Sequence, residues 1–214
     1  MTITLIIIII TTIVSIAAFN NDKLYNDLIF YPPAVTFQKQ WYRFFTCGLI
    51  HADFAHLIFN MYAFYVFGLV VEAKFVEVFE QKGKIIYLLM YVSSLFFCLL
   101  PTYSQNKENA SYRSLGASGA VSAVIFAYII LEPLSGIGII FIPGISIPGF
   151  LFGFLYLIIS TYLDKKGGGN INHSAHIWGA LYGIAFLILT SYIFSNYQLL
   201  PTFIQKIKMY LNSF

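Results

Sequence analysis

Apolar residues in this chain come in long blocks, unlike the short alternation of a half-buried strand. Six blocks stand out: residues 3–19, 54–72, 85–103, 115–131, 150–163 and 174–195. A helix needs about 20 apolar residues, within a range of roughly 17 to 25, to cross the hydrocarbon of a bilayer. The pattern therefore predicts an all-α membrane protein with six transmembrane helices, forming a single domain over residues 1–214. The connection over residues 20–50 is long, carries Pro32-Pro33 and is rich in aromatics. A structureless loop of that length is unusual, so this first loop is expected to lie on the membrane surface with short helices of its own. A Gly/Pro-rich stretch (Pro133, Gly136, Gly138, Pro143, Gly144, Pro148, Gly149) precedes the fifth block. The tail over residues 201–214, with Phe203, Ile204, Ile207, Met209 and Leu211 beside Lys206 and Lys208, reads as a surface helix or a frayed end.

Composition supports lipid as the solvent. Hydrophobic residues make up 59% of the 214 and charged residues only 10%, against about a quarter charged in ordinary soluble domains. A water-soluble fold of this size could not hide so much apolar surface. Aromatics reach 19%, which suits rings at both headgroup levels. The net charge of +3 is scattered, with no basic run longer than Lys165-Lys166, and excludes a nucleic-acid partner. Cys47 and Cys98 lie in or beside apolar blocks without the spacing of a metal knuckle, and read as free thiols. Ala17 and Ala18 could end a signal peptide. No Lys or Arg precedes the first block, however, and it exceeds the roughly 7 to 15 residues of a secretory apolar region, so it reads as a span. Charge counting gives a weak orientation. Five lysines (Lys74, Lys82, Lys84, Lys206, Lys208) fall on the N-terminal side and seven basic residues (Lys23, Lys39, Arg43, Lys107, Arg113, Lys165, Lys166) on the other, which would place the N-terminus outside.

Polar side chains within spans are costly and default to function. Four stand out: His56, Asn60, Ser118 and His176. His56 and Asn60 are four apart, so a helix sets them on one face. Ser118 opens the fourth span in Gly116-Ala117-Ser118-Gly119, and His176 opens the sixth. Spans two, four and six run in one direction, so these first turns share one face of the bilayer, each residue within roughly 10 Å of its span's start. The chemistry such a meeting supports is acyl transfer. A serine hydroxyl needs a base, and an imidazole serves at neutral pH, which makes Ser118 the candidate nucleophile and His176 the candidate base. The oxyanion would be met by backbone N–H groups at the start of the fourth span, including that of Ser118, together with His56 and Asn60. Gly116, Gly119, Gly179 and Gly183 are candidates for close helix packing that brings base to nucleophile. Asp53 and Asp164 lie at the membrane surface and none of the carboxylates is placed to orient His176, so the expected machinery is a Ser–His dyad.

Each residue has a blander reading. Glycine and serine often mediate helix packing, and His56 or Asn60 could be interhelical hydrogen bonders. All four together on same-direction spans are harder to assign to packing. His51, at the mouth of span two, reads as structural, capping or orienting the first loop, and His173 as solvated. A zinc site from His51, His56, His173 and His176 lacks both a His-Glu-x-x-His motif and a membrane carboxylate, so neither metal nor cofactor is expected. Glu72 is expected near the end of span two, at the opposite interface.

His56-Leu57-Ile58-Phe59-Asn60, Gly116-Ala117-Ser118-Gly119 and Ala175-His176-x-x-Gly179-x-x-x-Gly183 together resemble the rhomboid family of intramembrane serine proteases, in order and in span placement. Trp41-Tyr42-Arg43 resembles the family's Trp-Arg signature, though there the two residues adjoin, and Glu72 resembles the acidic residue ending its second helix. The resemblance implies a six-helix rhomboid bundle in the cell membrane, with a cytoplasmic N-terminus and a site opening to the outer face. That orientation opposes the charge count, and the ordered motifs outweigh a margin of two. It implies single-span membrane proteins as substrates, cut in or near an unwound transmembrane segment. One departure is Ser122, where many members stack an aromatic on the catalytic imidazole; Tyr182, Tyr128 and Trp178 remain open as substitutes. Two rivals differ in class. A channel or transporter would need charges or broken helices in mid-span. A proteolytically inactive rhomboid-like protein that binds membrane helices would usually lack the serine or the histidine, and both are present.

Overall fold

The computed structural model describes residues 1–139, 142–167 and 171–213. Residues 168–170 of the expected polar connection before span six, and residue 214 of the tail, lie outside the described residues. Helices dominate. Helix α1 (Ile3–Phe19) is followed by a first loop folded into three short helices, α2 (Asp22–Leu28), α3 (Pro32–Gln38) and α4 (Arg43–Thr46), and a 3₁₀ turn at Cys47–Leu49. Then come α5 (Phe54–Phe79), α6 (Gly83–Phe97), α7 (Leu100–Asn106) and α8 (Ser118–Leu131). After a β-hairpin, α9 (Gly149–Lys166), α10 (His173–Phe194) and α11 (Leu199–Leu211) complete the chain.

Several of these bounds correct the expected ones. The second block was expected to end at about residue 72 or slightly beyond; α5 runs on to Phe79, because the charged residues after Glu72 are good helix formers and Lys74 finds partners in Glu77 and Glu132. The block at 85–103 is broken: α6 ends at Phe97 and α7 starts anew with Pro101 in its first turn, where the missing N–H costs nothing. The block at 115–131 starts its helix only at Ser118, because Gly116 has φ +107 and ends the preceding loop. An all-α chain is also not quite what forms. The Gly/Pro-rich stretch makes an antiparallel pair, β1 (Gly136–Ile139) with β2 (Ile142–Pro148), where Gly136 and Gly138 alternate with Ile137.

The first-loop helices are held from within. Asn21 caps α2 by accepting from Leu24 N–H at 3.0 Å. Buried Arg43 donates from Nη1 to the carbonyls of Asn26 (2.8 Å) and Ile29 (2.7 Å), satisfying chain that would otherwise be orphaned.

Glu72 sits late in α5, beside the N-terminus of α1. Its carboxylate is buried and accepts Ile3 N–H at 2.8 Å, Thr4 N–H at 2.9 Å and Thr4 Oγ1–H at 2.8 Å. It neutralises the orphan donors and positive dipole end of α1.

The core sits between α5, α6, α8 and α10, around Phe64, Tyr87, Met90, Val124 and Leu187. Outward faces are apolar too: Ile13 is 63% exposed, Phe154 63% and Leu189 59%. Such a surface belongs in hydrocarbon. Among the described residues, two helical stretches have the length and apolarity to cross a bilayer, Phe54–Asn106 taken as continuous and α10, whereas α1 and α8 are shorter. Helix α8, with 14 residues, spans only about 21 Å.

Candidate active site

The turn that delivers Ser118 is pinned to the first loop. Phe30 and Ser114 exchange backbone hydrogen bonds of 3.0 and 3.1 Å, and Gly116 N–H donates to the Cys47 carbonyl at 2.9 Å. Gly116 takes the left-handed φ, and a Cβ there would lie 2.8 Å from Cε1 and 2.9 Å from Nε2 of His56. Only glycine satisfies both the backbone and the ring. Gly116 was expected among the helix-packing glycines; it lies outside the helix, and what it accommodates is an imidazole.

His176 occupies the first turn of α10, whose cap is Asn172: its Oδ1 accepts Ala175 N–H at 3.0 Å, and its Nδ2 donates to Thr102 Oγ1 of α7 at 3.2 Å. The other three glycines do bring helices together. A Cβ on Gly179 would meet the Gly119 carbonyl oxygen at 2.0 Å, one on Gly183 the Ala123 carbonyl oxygen at 2.3 Å, and one on Gly119 the Cys98 sulfur at 2.5 Å. With α10 riding on α8 this closely, His176 Nε2 stands 2.7 Å from Ser118 Oγ. Among the described residues, no carboxylate pairs with either nitrogen of His176. Its ring meets that of His173 edge-on, with centroids 5.9 Å apart. The aromatics left open by the sequence are engaged elsewhere or turned outward: Tyr182 stacks on Phe97, Tyr128 packs on Phe67, and Trp178 is exposed. Ser122 is hydrogen-bonded at 2.9 Å to Tyr156 Oη of α9.

His56, Asn60, Ser118 and His176 line one cleft of about 920 Å³. Asp53 caps α5 by accepting His56 N–H at 2.8 Å. His56 Nδ1 accepts Ala52 N–H at 3.4 Å. That leaves its Nε2 to carry the proton beside the Gly116 turn. Asn60 was expected to donate into the oxyanion site; its Nδ2 donates one hydrogen to the His56 carbonyl one turn back, at 3.0 Å, so one amide hydrogen remains for the cleft.

His51 is fully buried, its ring 4.9 Å from that of His56. Burial, reinforced by the neighbouring His56 and only partly opposed by Asp53, holds its pKa down at about 3, so it is neutral. Its Nδ1 lies 3.0 Å from Ser15 Oγ of α1, and its Nε2 accepts Ala117 N–H at 3.5 Å. Burial likewise pushes the Cys47 thiol up to about 12, which leaves it unreactive. Neither the His51 contact with Ala117 nor the Asn172 bridge to Thr102 was legible in the sequence, since both partners are remote along the chain.

The Rhomboid family model, described as Rhomboid domain, matches residues 38–193. Rhomboid protease GlpG of Haemophilus influenzae is 25% identical over 178 residues, covering 83% of each chain. RHOMBOID-like protein 12, mitochondrial, of Arabidopsis thaliana is 29% identical over 149 residues, 63% of this chain and 42% of that one. Rhomboid-like protein 11, chloroplastic, from the same plant is 29% identical over 158 residues, 71% of this chain and 53% of that one. The chain thus spans about half the length of these two plant relatives. Its apolar outer faces make it a membrane protein, and the matched domain, which contains all four polar residues of the cleft, takes up well over half of its length: the chain belongs to the rhomboid family.

Proposed function

We propose that this protein is an intramembrane serine endopeptidase with Ser118 as nucleophile and His176 as general base. One observation carries the reading: the 2.7 Å contact between Ser118 Oγ and His176 Nε2, contributed by two separate helices and lining a cleft. That is hydrogen-bond range for proton transfer. Ser118 Oγ attacks the substrate carbonyl while its proton passes to His176 Nε2. The oxyanion is met by the Ser118 N–H at the N-terminus of α8, where the helix dipole is positive, by His56 Nε2–H and by the free hydrogen of Asn60 Nδ2. The intermediate collapses, the leaving amine takes the proton from His176, and water then frees the acyl-enzyme by the same steps.

The bundle crosses the membrane six times in this reading, through α1, α5, α6, α8, α9 and α10. Its N-terminus is cytoplasmic, the cleft opens to the outer face of the cell membrane, and the substrates are single-span proteins cut near an unwound transmembrane segment. The charge count argues for the reverse orientation, but Lys74 and Lys206 both pair with Glu132, which weakens that count.

A fluorophosphonate probe on purified protein in mild detergent tests the chemistry. Labelling of wild type that vanishes in Ser118→Ala and His176→Ala, with cleavage of a single-span reporter lost in parallel, is the expected result. Wild-type protein that is folded yet neither labelled nor cleaving sinks the reading and favours a helix-binding role.

A further inference from the structure

His51 is the buried imidazole the mechanism leaves unused, and its contacts form a directed chain. Ser15 has one hydroxyl hydrogen, and it is donated to the Leu49 carbonyl at 2.9 Å. The Ser15 oxygen therefore accepts from His51 Nδ1–H, at 3.0 Å. With the ring proton on Nδ1, the Nε2 lone pair is free to accept Ala117 N–H at 3.5 Å. Ser15, His51 and Ala117 are all fully buried, so no water competes for these groups. His56, on the same segment, carries the opposite tautomer, since its Nδ1 accepts from Ala52.

We propose that His51 is a positioning residue for the nucleophile: its Nε2 holds the Ala117 amide, and Ser15 on α1 fixes the tautomer that lets it do so. The inference rests on the proteolytic reading of Ser118. Two consecutive amides of the turn before Ser118 are then anchored from the first-loop segment, Gly116 by the Cys47 carbonyl and Ala117 by His51. Those anchors fix where α8 starts, and so where Ser118 Oγ and its own N–H point. They also withdraw the Ala117 amide from the cleft, so the oxyanion is left to Ser118 N–H, the His56 ring and Asn60. Ring neutrality is essential to the device, because a protonated Nε2 would confront the Ala117 N–H donor to donor. The depressed pKa of about 3 keeps the ring neutral. The device makes α1, which contributes nothing else to the cleft chemistry, part of the catalytic geometry.

Three substitutions test it in purified protein, read by fluorophosphonate labelling rate and by kcat and KM on a single-span reporter. His51→Leu removes both nitrogens and is expected to lower the labelling rate and kcat about 100-fold, the order of loss that a misplacement of about 1 Å brings. KM for the reporter should hold at the wild-type value, because substrate docking is not altered. His51→Gln, whose amide oxygen can accept Ala117 N–H, is expected to recover most of that loss. Ser15→Ala keeps the imidazole and the bulk of α1 and frees the tautomer; it is expected to lower kcat about tenfold at unchanged KM, a fraction of the same misplacement. The ¹⁵N spectrum of histidine-labelled wild type should place the His51 proton on Nδ1 at neutral pH. If His51→Leu fails to fold, Ser15→Ala and the spectrum decide. An Nε2–H tautomer, or Ser15→Ala with wild-type kcat, overturns the positioning role while an active wild type leaves the proteolytic reading standing. An inert wild type sinks both.

Discussion

Gly179 of α10 lies directly on Gly119 of α8, so close that a Cβ on Gly179 would stand 2.0 Å from the Gly119 carbonyl oxygen. The obstruction is backbone on both sides, so no side-chain rotation can relieve it. Gly119 adjoins Ser118, and Gly179 lies one turn beyond His176, so this contact sets the separation of hydroxyl and imidazole.

Gly179→Ala is therefore expected to cost about 1–3 kcal/mol of stability by overpacking and to separate the dyad. Gly183→Ala meets the Ala123 carbonyl oxygen at 2.3 Å, one turn farther from the chemistry. It should cost similar stability with a smaller loss of rate. Thermal unfolding in detergent together with fluorophosphonate labelling separates the two effects. Equal rates in both variants would contradict the assignment of Gly179 as the spacer of the dyad.

Glu72 holds the start of α1 through three hydrogen bonds from Ile3 and Thr4. Glu72→Gln removes the charge and turns one acceptor oxygen into a donor facing an N–H or hydroxyl of α1. The expected loss is about 1.5–3 kcal/mol, the range for hydrogen bonds to a charged group. Denaturant titration measures it. Labelling of the folded fraction should stay at the wild-type rate, since the carboxylate lies at the far end of α5 from the cleft.

How far the sequence could be read follows from what each residue must meet. Ser118 and His176 are legible because polar side chains are costly in apolar blocks, and three same-direction blocks bring their first turns to one face. Gly179 and Gly183 are legible because small residues four apart mark a close helix contact in lipid. Gly116 looks the same in sequence, yet its function is a left-handed turn against a ring, which only the backbone reveals. Apolar content fades after Glu72 while the helix runs on to Phe79, and the α1 amides that Glu72 binds are remote along the chain, so neither is visible in the sequence. The break between α6 and α7 has one local mark, Pro101, inside a block that otherwise reads as continuous. His51 and His56 are equivalent as letters; they differ only through Ser15, Ala52 and Ala117, remote or backbone partners that no spacing encodes.

Ser122 and Tyr156 join α8 to α9 through a hydroxyl pair at 2.9 Å. Because Tyr156 also packs on Phe126 and Phe152, the hydrogen bond is one part of that contact. A double-mutant cycle of Ser122→Ala and Tyr156→Phe should give a coupling of about 0.6 kcal/mol and not above about 1.7, the range for hydroxyl bonds between membrane helices. Unfolding of the four proteins in the same detergent supplies the cycle. A coupling of zero would mean that the two hydroxyls do not pair in the folded protein.

The last expectation concerns acid. His51 is neutral in the fold, with a pKa of about 3 caused first by burial and then by His56, against an ordinary value of 6.5. The surrounding groups on its own segment, on α1 and on the Ser118 turn are His56, Asp53, Ser15 and the Ala117 amide; Asp53 only partly offsets the burial. Between pH 6.5 and 3 the unfolded chain binds a proton at this position that the folded chain refuses. Stability from this group is thus complete above pH 6.5 and falls as pH drops, by about 1.4 kcal/mol per pH unit. At pH 5 the loss is on the order of 2 kcal/mol. The informative quantity is the difference between wild type and His51→Gln, which keeps an acceptor but cannot titrate. Unfolding curves from pH 8 to pH 5 should converge toward acid, with the variant losing less. Parallel curves would show that the His51 ring is free to protonate in the folded protein, and that the Ala117 amide is not held by its lone pair.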